Sequence, residues 1–317
     1  MSKIEVDMEV IVQVAELYYE MGQTQQEIAD KLNYSRPMIS KILSNAHDLG
    51  IVSISVQNPN TEAKKLAIEM EEVFSSEDKP LKIIVVPSSS EHELTLNRVH
   101  KAAANYLEAN LCDNEIVGIG RGSSIYGLVN NLSGNKRTGI QTVPLTGGLG
   151  GIDSLYQVNE TARRAAYSLG GICHFVYSPV YLGHRATKDA ILSDPELKPS
   201  FDLWDELDWA LVGIGAIFQS NNNYYRDRVL KAEAETGQKV IADLCVNLID
   251  PLGNPVNSGD PVVAINLTQL RRTKKVMAVA SGTYKVQAIL ACIKGNWIDV
   301  LVTDEYTASD LIKNYKE

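Results

Sequence analysis

The chain has 317 residues, 44% hydrophobic and 22% charged, with a formal net charge of −9. The length suggests about two domains at ~150 residues each, and the composition excludes a disordered chain. An acidic balance argues against a nucleic-acid partner, an objection that a local motif opposes. No apolar run reaches the roughly 18 residues that span a bilayer. Glu5, Asp7 and Glu9 precede any apolar stretch where a signal peptide would be basic. Cys112, Cys173, Cys245 and Cys292 are too widely spaced for a disulfide framework or a zinc site and read as reduced thiols. The expectation is a soluble, cytoplasmic protein without membrane association, metal or cofactor.

Residues 1–57 read as an all-α helix-turn-helix domain of winged-helix-like type. Val10, Val14, Leu17 and Tyr18 recur at helical spacing up to Gly22. Thr24 with Glu27 three residues on is a capping box that opens a second helix. Asn33-Tyr34-Ser35 breaks that helix, and Ser35 caps a third whose first turn carries Arg36 and Pro37. Ile39, Ile42 and Leu43 form its buried stripe, Gly50 ends it, and the alternating run 51–56 resembles a small wing. Residues 58–80 read as a linker helix with Leu66, Met70, Val73 and Phe74 on one side, a candidate for part of an oligomer interface. The polar run 75–80 marks the domain boundary.

From Leu81 to Glu317, short apolar runs alternate with helical stretches. Strands are expected at 82–87, 116–120, 140–145, 172–177, 209–215, 239–244, 262–265, 275–281 and 299–304. Several are continuously apolar, as in strands covered on both faces, so the expected fold is a Rossmann-like α/β domain with a mainly parallel sheet.

Two segments carry chemistry. A helix, a tight turn and a helix beginning at Ser35 place the second helix's N-terminus in a DNA major groove. There Ser35 and Ser40 meet phosphates or base edges, Arg36 pairs with guanine and Lys41 with phosphate; Pro37 sets the first turn, while Gln25 and Gln26 open the preceding helix across the backbone. Residues 1–57 hold four basic against eight acidic side chains. One copy would therefore bind weakly, and DNA binding requires an oligomer that multiplies the contact. The second segment, Gly118 to Ser124, follows a strand and opens a helix. Free amides and the helix dipole there suit an anion, and Gly120, Gly122, Ser123 and Ser124 allow its approach. The dinucleotide fingerprint fails, because Ser123 stands where a third glycine is needed.

The segment 17–43 resembles the N-terminal domain of the SorC family of sugar-responsive transcription regulators. The likeness continues in the same order through 117–128, 144–150, 210–216, 241–256, 276–289 and 296–312. It implies an effector domain related to sugar-phosphate isomerases, a homotetramer, operator DNA as partner and a phosphorylated sugar as effector. It also implies that the loop at 120–124 holds phosphate, that Lys285 in Ser281–Lys285 is its cationic partner and that Asp243 accepts sugar hydroxyls. Gly147 and Gly148 form a neighbouring wall. Arg121 and Ser281 depart from the family pattern, which leaves two functions open for Arg121: adding charge to the pocket or pointing away.

The remaining candidates have plainer readings. Arg226 and Arg228 read as surface side chains, His174 as a core histidine and Asp304-Glu305 as the cap of the last helix. The expected function is a regulator, read as a repressor, of a carbohydrate-utilisation operon, without catalytic residues. A sugar-phosphate isomerase or deaminase with a fused helical domain, and a DNA-binding protein whose second domain only oligomerises, are the competing readings.

Overall fold

The computed structural model describes residues 7–52, 61–76, 79–150, 157–217 and 223–316. The chain divides into two compact units between Pro59 and Asn60.

Three helices make the first unit: α1 (Met8–Tyr19), α2 (Gln25–Leu32) and α3 (Arg36–Asp48). Each begins where the sequence supplies a cap. Asp7 accepts from the Glu9 amide, and Thr24 and Glu27 exchange hydrogen bonds in a capping box. The Ser35 hydroxyl accepts from the Met38 amide at 3.4 Å. Asn33, left-handed at φ 55°, stops α2 and leaves a three-residue connection to α3. Ile11, Val14, Ile28, Ile39, Ile42, Leu43 and Ala46 close a core of their own. Ile51 and Val52 pack against it, while the rest of the expected wing lies outside the described residues.

The second unit begins with α4 (Thr61–Phe74), and here the expected organisation needs correction. The sequence reading makes this helix a linker and puts the boundary at 75–80. In the structure Met70 is buried with Leu81 and Ile83 in the main core. Phe74 meets the Tyr315 ring edge-on at 4.9 Å, and Lys316 pairs with Glu69 at 3.0 Å. The residues on either side of 77–78 are tied to the second unit rather than freely linking: the Ser75 hydroxyl accepts from the Leu81 amide at 2.9 Å and Ser76 accepts from that of Lys79.

The order then runs β1 (Lys82–Val86), α5 (His92–Asn110), β2 (Ile116–Ile119), α6 (Ser123–Asn130), β3 (Gln141–Pro144), α7 (Val158–Leu169) and β4 (Ile172–Cys173). After α8 (Arg185–Ser193) and α9 (Lys198–Asp202) come β5 (Trp209–Ala216), α10 (Asn223–Thr236), β6 (Ala242–Leu244), β7 (Asn247–Ile249) and β8 (Pro255–Val256). The chain ends with α11 (Leu267–Arg272), β9 (Lys275–Val279), α12 (Val286–Lys294), β10 (Val300–Asp304) and α13 (Glu305–Lys316).

A parallel sheet of order β1-β10-β9-β5-β2-β3-β4 forms the spine, and β6, β7 and β8 extend from β5 as an antiparallel meander. Separate apolar layers pack on its two faces, one with Leu145, Ile214 and Leu301, the other with Val117, Ile125 and Val302. Strands covered on both sides explain the unbroken apolar runs. Three expected strands differ: the run 172–177 shortens to the two residues of β4. The run 262–265 makes only isolated bridges, Val262 to Tyr181 and Ala264 to Thr146, and the run 239–244 shortens to β6, antiparallel to β5. Successive strands β2, β3 and β4 step away from β5 in one direction, while β9 and β10 step away in the other. The loops after β2 and β9 thus flank β5 at the strands' C-terminal edge, where such sheets open a crevice.

Candidate functional site

The β2–α6 loop is shaped by close approach to β5. The Gly120 amide donates to the Leu211 carbonyl at 2.8 Å, and a Cβ at position 120 would come within 2.6 Å of that oxygen. Only glycine fits. Gly122 takes φ +110°, and no side chain caps α6, so the helix presents its first amides and positive dipole end at the sheet edge. Ser123 is exposed and Ser124 half-buried.

The β9–α12 loop is pinned from behind. The Ser281 hydroxyl donates to Asp304 Oδ2 at 2.6 Å, and Asp304 also accepts from the hydroxyls of Thr307 and Ser88. The Gly282 amide donates to Thr307 Oγ1 at 2.8 Å. Burial alone would raise the Asp304 pKa, yet these donors hold it below the ordinary carboxylate value. Ser281 therefore locks the loop instead of offering a donor to a ligand. Asp304 caps α13 through the Tyr306 and Thr307 amides, as the sequence suggests.

Lys285 closes the short 3-10 turn Thr283–Lys285 that leads into α12. Burial pushes its ammonium below the ordinary lysine value, and no carboxylate among the described residues pairs with it. Its charge reaches His100 on α5, whose pKa is lowered by burial and then by Lys285. His100 in turn packs against Gly127 of α6, where a Cβ would come within 2.2 Å of Nδ1. The same ammonium lies 5.8 Å from the Tyr284 ring centre.

Asp243 sits on β6 opposite Gly215 of β5, 8% exposed. Its Oδ1 accepts from the Val246 amide at 2.7 Å. Around it stand residues whose place the sequence reading leaves open or misses. Burial raises the Tyr181 pKa against the nearby charge of Arg121; Asp243 raises it further and Arg228 opposes. The charge of Arg121 is thus felt at Tyr181. The Cys245 thiol is pushed up by burial and by Asp243.

Two expectations are corrected. Arg228 is not a surface side chain but 7% exposed, with its guanidinium carbon 5.8 Å from the Tyr181 ring centre, whereas Arg226 is exposed. Val229 and Ala232, buried on the same helix, give the periodicity that could have shown this. The amides of Gly147 and Gly148 are already donated, to the Val263 and Ser178 carbonyls, so that turn offers no free amide donors. His174 is half-buried and meets Gln141 at 2.8 Å, a structural role as expected.

On the first unit Ser35, Arg36, Pro37, Ser40 and Lys41 form an exposed run at the start of α3, and Gln26 is exposed on α2 while Gln25 is half-buried. Neither Arg36 nor Lys41 has an ion-pair partner among the described residues. Gln26 is tied to Asp30 at 2.8 Å, and Ser35 is occupied as a cap.

The molecule thus joins a compact three-helix unit in sequence to a parallel α/β sheet with two glycine loops and a half-buried lysine at its C-terminal edge. The sugar-binding domain family model (Sugar-bind) matches residues 61–313. The chain belongs to this family of sugar-binding transcription regulators. It is 30% identical over 315 residues to the sorbitol operon regulator of Klebsiella pneumoniae, spanning 97% of this chain and 98% of that one. The deoxyribonucleoside regulator of Bacillus subtilis (strain 168) is 25% identical over 96% of this chain and 97% of its own length. The crystal structure of the full-length Klebsiella regulator SorC superposes with a TM-score of 0.78 at 28% identity, covering 97% and 99% of the two chains. That of a Streptococcus pneumoniae TIGR4 transcriptional regulator gives 0.72 at 25% identity over 82% of this chain and all of the other.

Proposed function

We propose that the protein is a cytoplasmic helix-turn-helix repressor of a carbohydrate-utilisation operon, released from its operator by a phosphorylated sugar. The observation that carries this reading is Lys285. An ammonium that is half-buried, depressed in pKa and without a carboxylate partner among the described residues suits an anionic ligand. The uncapped N-terminus of α6, with Gly120, Gly122, Ser123 and Ser124, supplies neutral donors for the same phosphate. Asp243 accepts the sugar's hydroxyls, Arg121 and Tyr181 border it, and Gly147 and Gly148 shape the wall. The relatives' names, a sorbitol operon regulator and a deoxyribonucleoside regulator, support a carbohydrate-derived effector.

On the DNA side, α3 enters the major groove with Arg36 and Ser40 at base edges and Lys41 at phosphate; Ser35 and Pro37 fix the helix start, and Gln25 and Gln26 meet the backbone. The local acidity requires several copies on one operator, for which a homotetramer is the assembly proposed. The effector acts by binding one quaternary arrangement more tightly than another, so that the DNA-binding heads lose register with their half-sites. Isomerase chemistry needs an acid and a base beside the sugar. Asp304 is saturated by hydroxyl and amide donors, which leaves Asp243 as the one free carboxylate of the named site residues and favours binding over catalysis.

The test is equilibrium binding of the full chain to a DNA site selected from a random pool, with and without each member of a panel of sugars and sugar phosphates. One phosphorylated sugar should weaken DNA binding at least ~10-fold, and Arg36→Ala should abolish the selected site's advantage. Equal ligand affinity for free and DNA-bound protein would overturn the gating.

A further inference from the structure

The turn behind Asp243 is held in a conformation its residues disfavour. β6 and β7 pair Leu244 with Asn247, so Cys245 and Val246 alone make the turn. Both have positive φ, 50° and 70°. Two-residue hairpin turns of this kind want Asn-Gly, because a β-branched side chain is a steric outlier in the left-handed region. What keeps the turn in place is charge on each side of Val246. Its amide donates to Asp243 Oδ1 at 2.7 Å, and its carbonyl accepts from Arg228 Nη2 at 3.1 Å. Asn247 Nδ2 adds bonds to the Leu244 and Cys245 carbonyls and fixes the turn to Ile265.

Arg228 is a costly means to that end. Its side chain is 6% exposed, its Nε lies 3.3 Å from Asp260 Oδ2 without a hydrogen bond, and Nη1 is buried with no hydrogen-bond partner among the described residues. A buried guanidinium with idle donors is a weak source of stability, and an apolar side chain of similar volume often serves a core better. Asp260 does not depend on it, because Lys231 pairs with the same carboxylate at 2.7 Å. What Arg228 does reach is the Val246 carbonyl, the Ser258 hydroxyl at 3.3 Å and the Tyr181 ring.

We infer that Arg228 is a positioning residue of the effector site, acting through the strained Cys245–Val246 turn to fix the Asp243 carboxylate. With Val246 clamped from both sides, Oδ1 is committed to the turn and Oδ2 is the oxygen left for a sugar hydroxyl. The assignment of that hydroxyl rests on the effector reading above; the clamp does not, and its test uses no ligand.

The experiment is amide exchange at Val246 in the full-length chain, alongside the unfolding midpoint. In Arg228→Met the Val246 amide should exchange at least ~10-fold faster while the midpoint stays within about 4 °C of wild type, since Asp260 keeps Lys231. Arg228→Lys, which restores a donor, should recover most of the protection. In an Asp243→Ala background, adding Arg228→Met should bring no further acceleration, because both act through one turn. Unchanged Val246 exchange in Arg228→Met would overturn the inference. So would acceleration of all hairpin amides in proportion to lost stability, or additive effects with Asp243→Ala. A protein that passes this test yet ignores every sugar phosphate would retain the clamp and lose the effector reading.

Discussion

The cations of the first unit and those of the second are set in opposite ways. Arg36 and Lys41 stand exposed on α3, unpaired among the described residues, whereas Lys285 is half-buried beside His100 and Arg228 is sealed behind Val246. An exposed cation acts through long-range attraction that salt screens within about 8–10 Å. A buried one acts through fixed geometry, at a cost in solvation that a ligand's charge offsets. The contrast fits the two partners proposed: a polyanion met at a surface, and one small anion met in a crevice.

The largest expected effect lies in the crevice. Lys285→Met should weaken sugar-phosphate binding about 100-fold or more, since a desolvated charge pair is lost, and the loss should change little between low and moderate salt. Calorimetric titration at two salt concentrations checks this; a loss that vanishes with salt would place Lys285 in solvent.

Next comes the exposed face. Arg36→Ala should cost about 1–3 kcal/mol of DNA affinity, concentrated at one base position, whereas Lys41→Ala should weaken all sequences alike and lower the salt slope by about one. Fluorescence anisotropy across a salt series separates them, and identical behaviour of the two variants would break the assignment of Arg36 as a base reader.

A third test concerns the scaffold beneath Lys285. The hydroxyl donors keep the Asp304 pKa below its unfolded value near 4, so its stabilisation is present above that value. It disappears as pH falls through the lower, folded value. Asp304→Asn should therefore cost about 2–4 kcal/mol at pH 7 and progressively less below pH 4. Thermal melts from pH 7 to pH 3 check the sign, and a constant difference would contradict it.

The smallest effect belongs to a surface pair. Arg163 and then Arg164 hold Glu160 at a pKa of about 2, but all three are solvated, so Glu160→Gln should move the melting midpoint by no more than about 1 °C.

Much of this organisation is legible in the sequence because it depends on local chemistry. Thr24 and Glu27 announce a helix start wherever they stand, and the glycine loop after β2 follows an apolar strand as phosphate loops do. The misreadings depend on distant partners. Ser75 to Pro80 has linker composition, yet Ser75 bonds Leu81 and Met70 enters the core beside Ile83. Arg228 reads as exposed because charge favours solvent, and only Val246, Ser258 and Asp260, far along the chain, show why it is buried.

The most direct test of the central claim is a thermal-shift titration of the full chain with matched pairs of sugar and sugar phosphate, run on wild type and Lys285→Met. At about a hundred times its dissociation constant the true effector should stabilise wild type by roughly 2.7 kcal/mol. The account predicts that one phosphorylated sugar raises the midpoint, that its free sugar does not, and that Lys285→Met removes the response. A free sugar acting as strongly as its phosphate, or an undiminished response in Lys285→Met, would contradict a phosphate site built on the two loops.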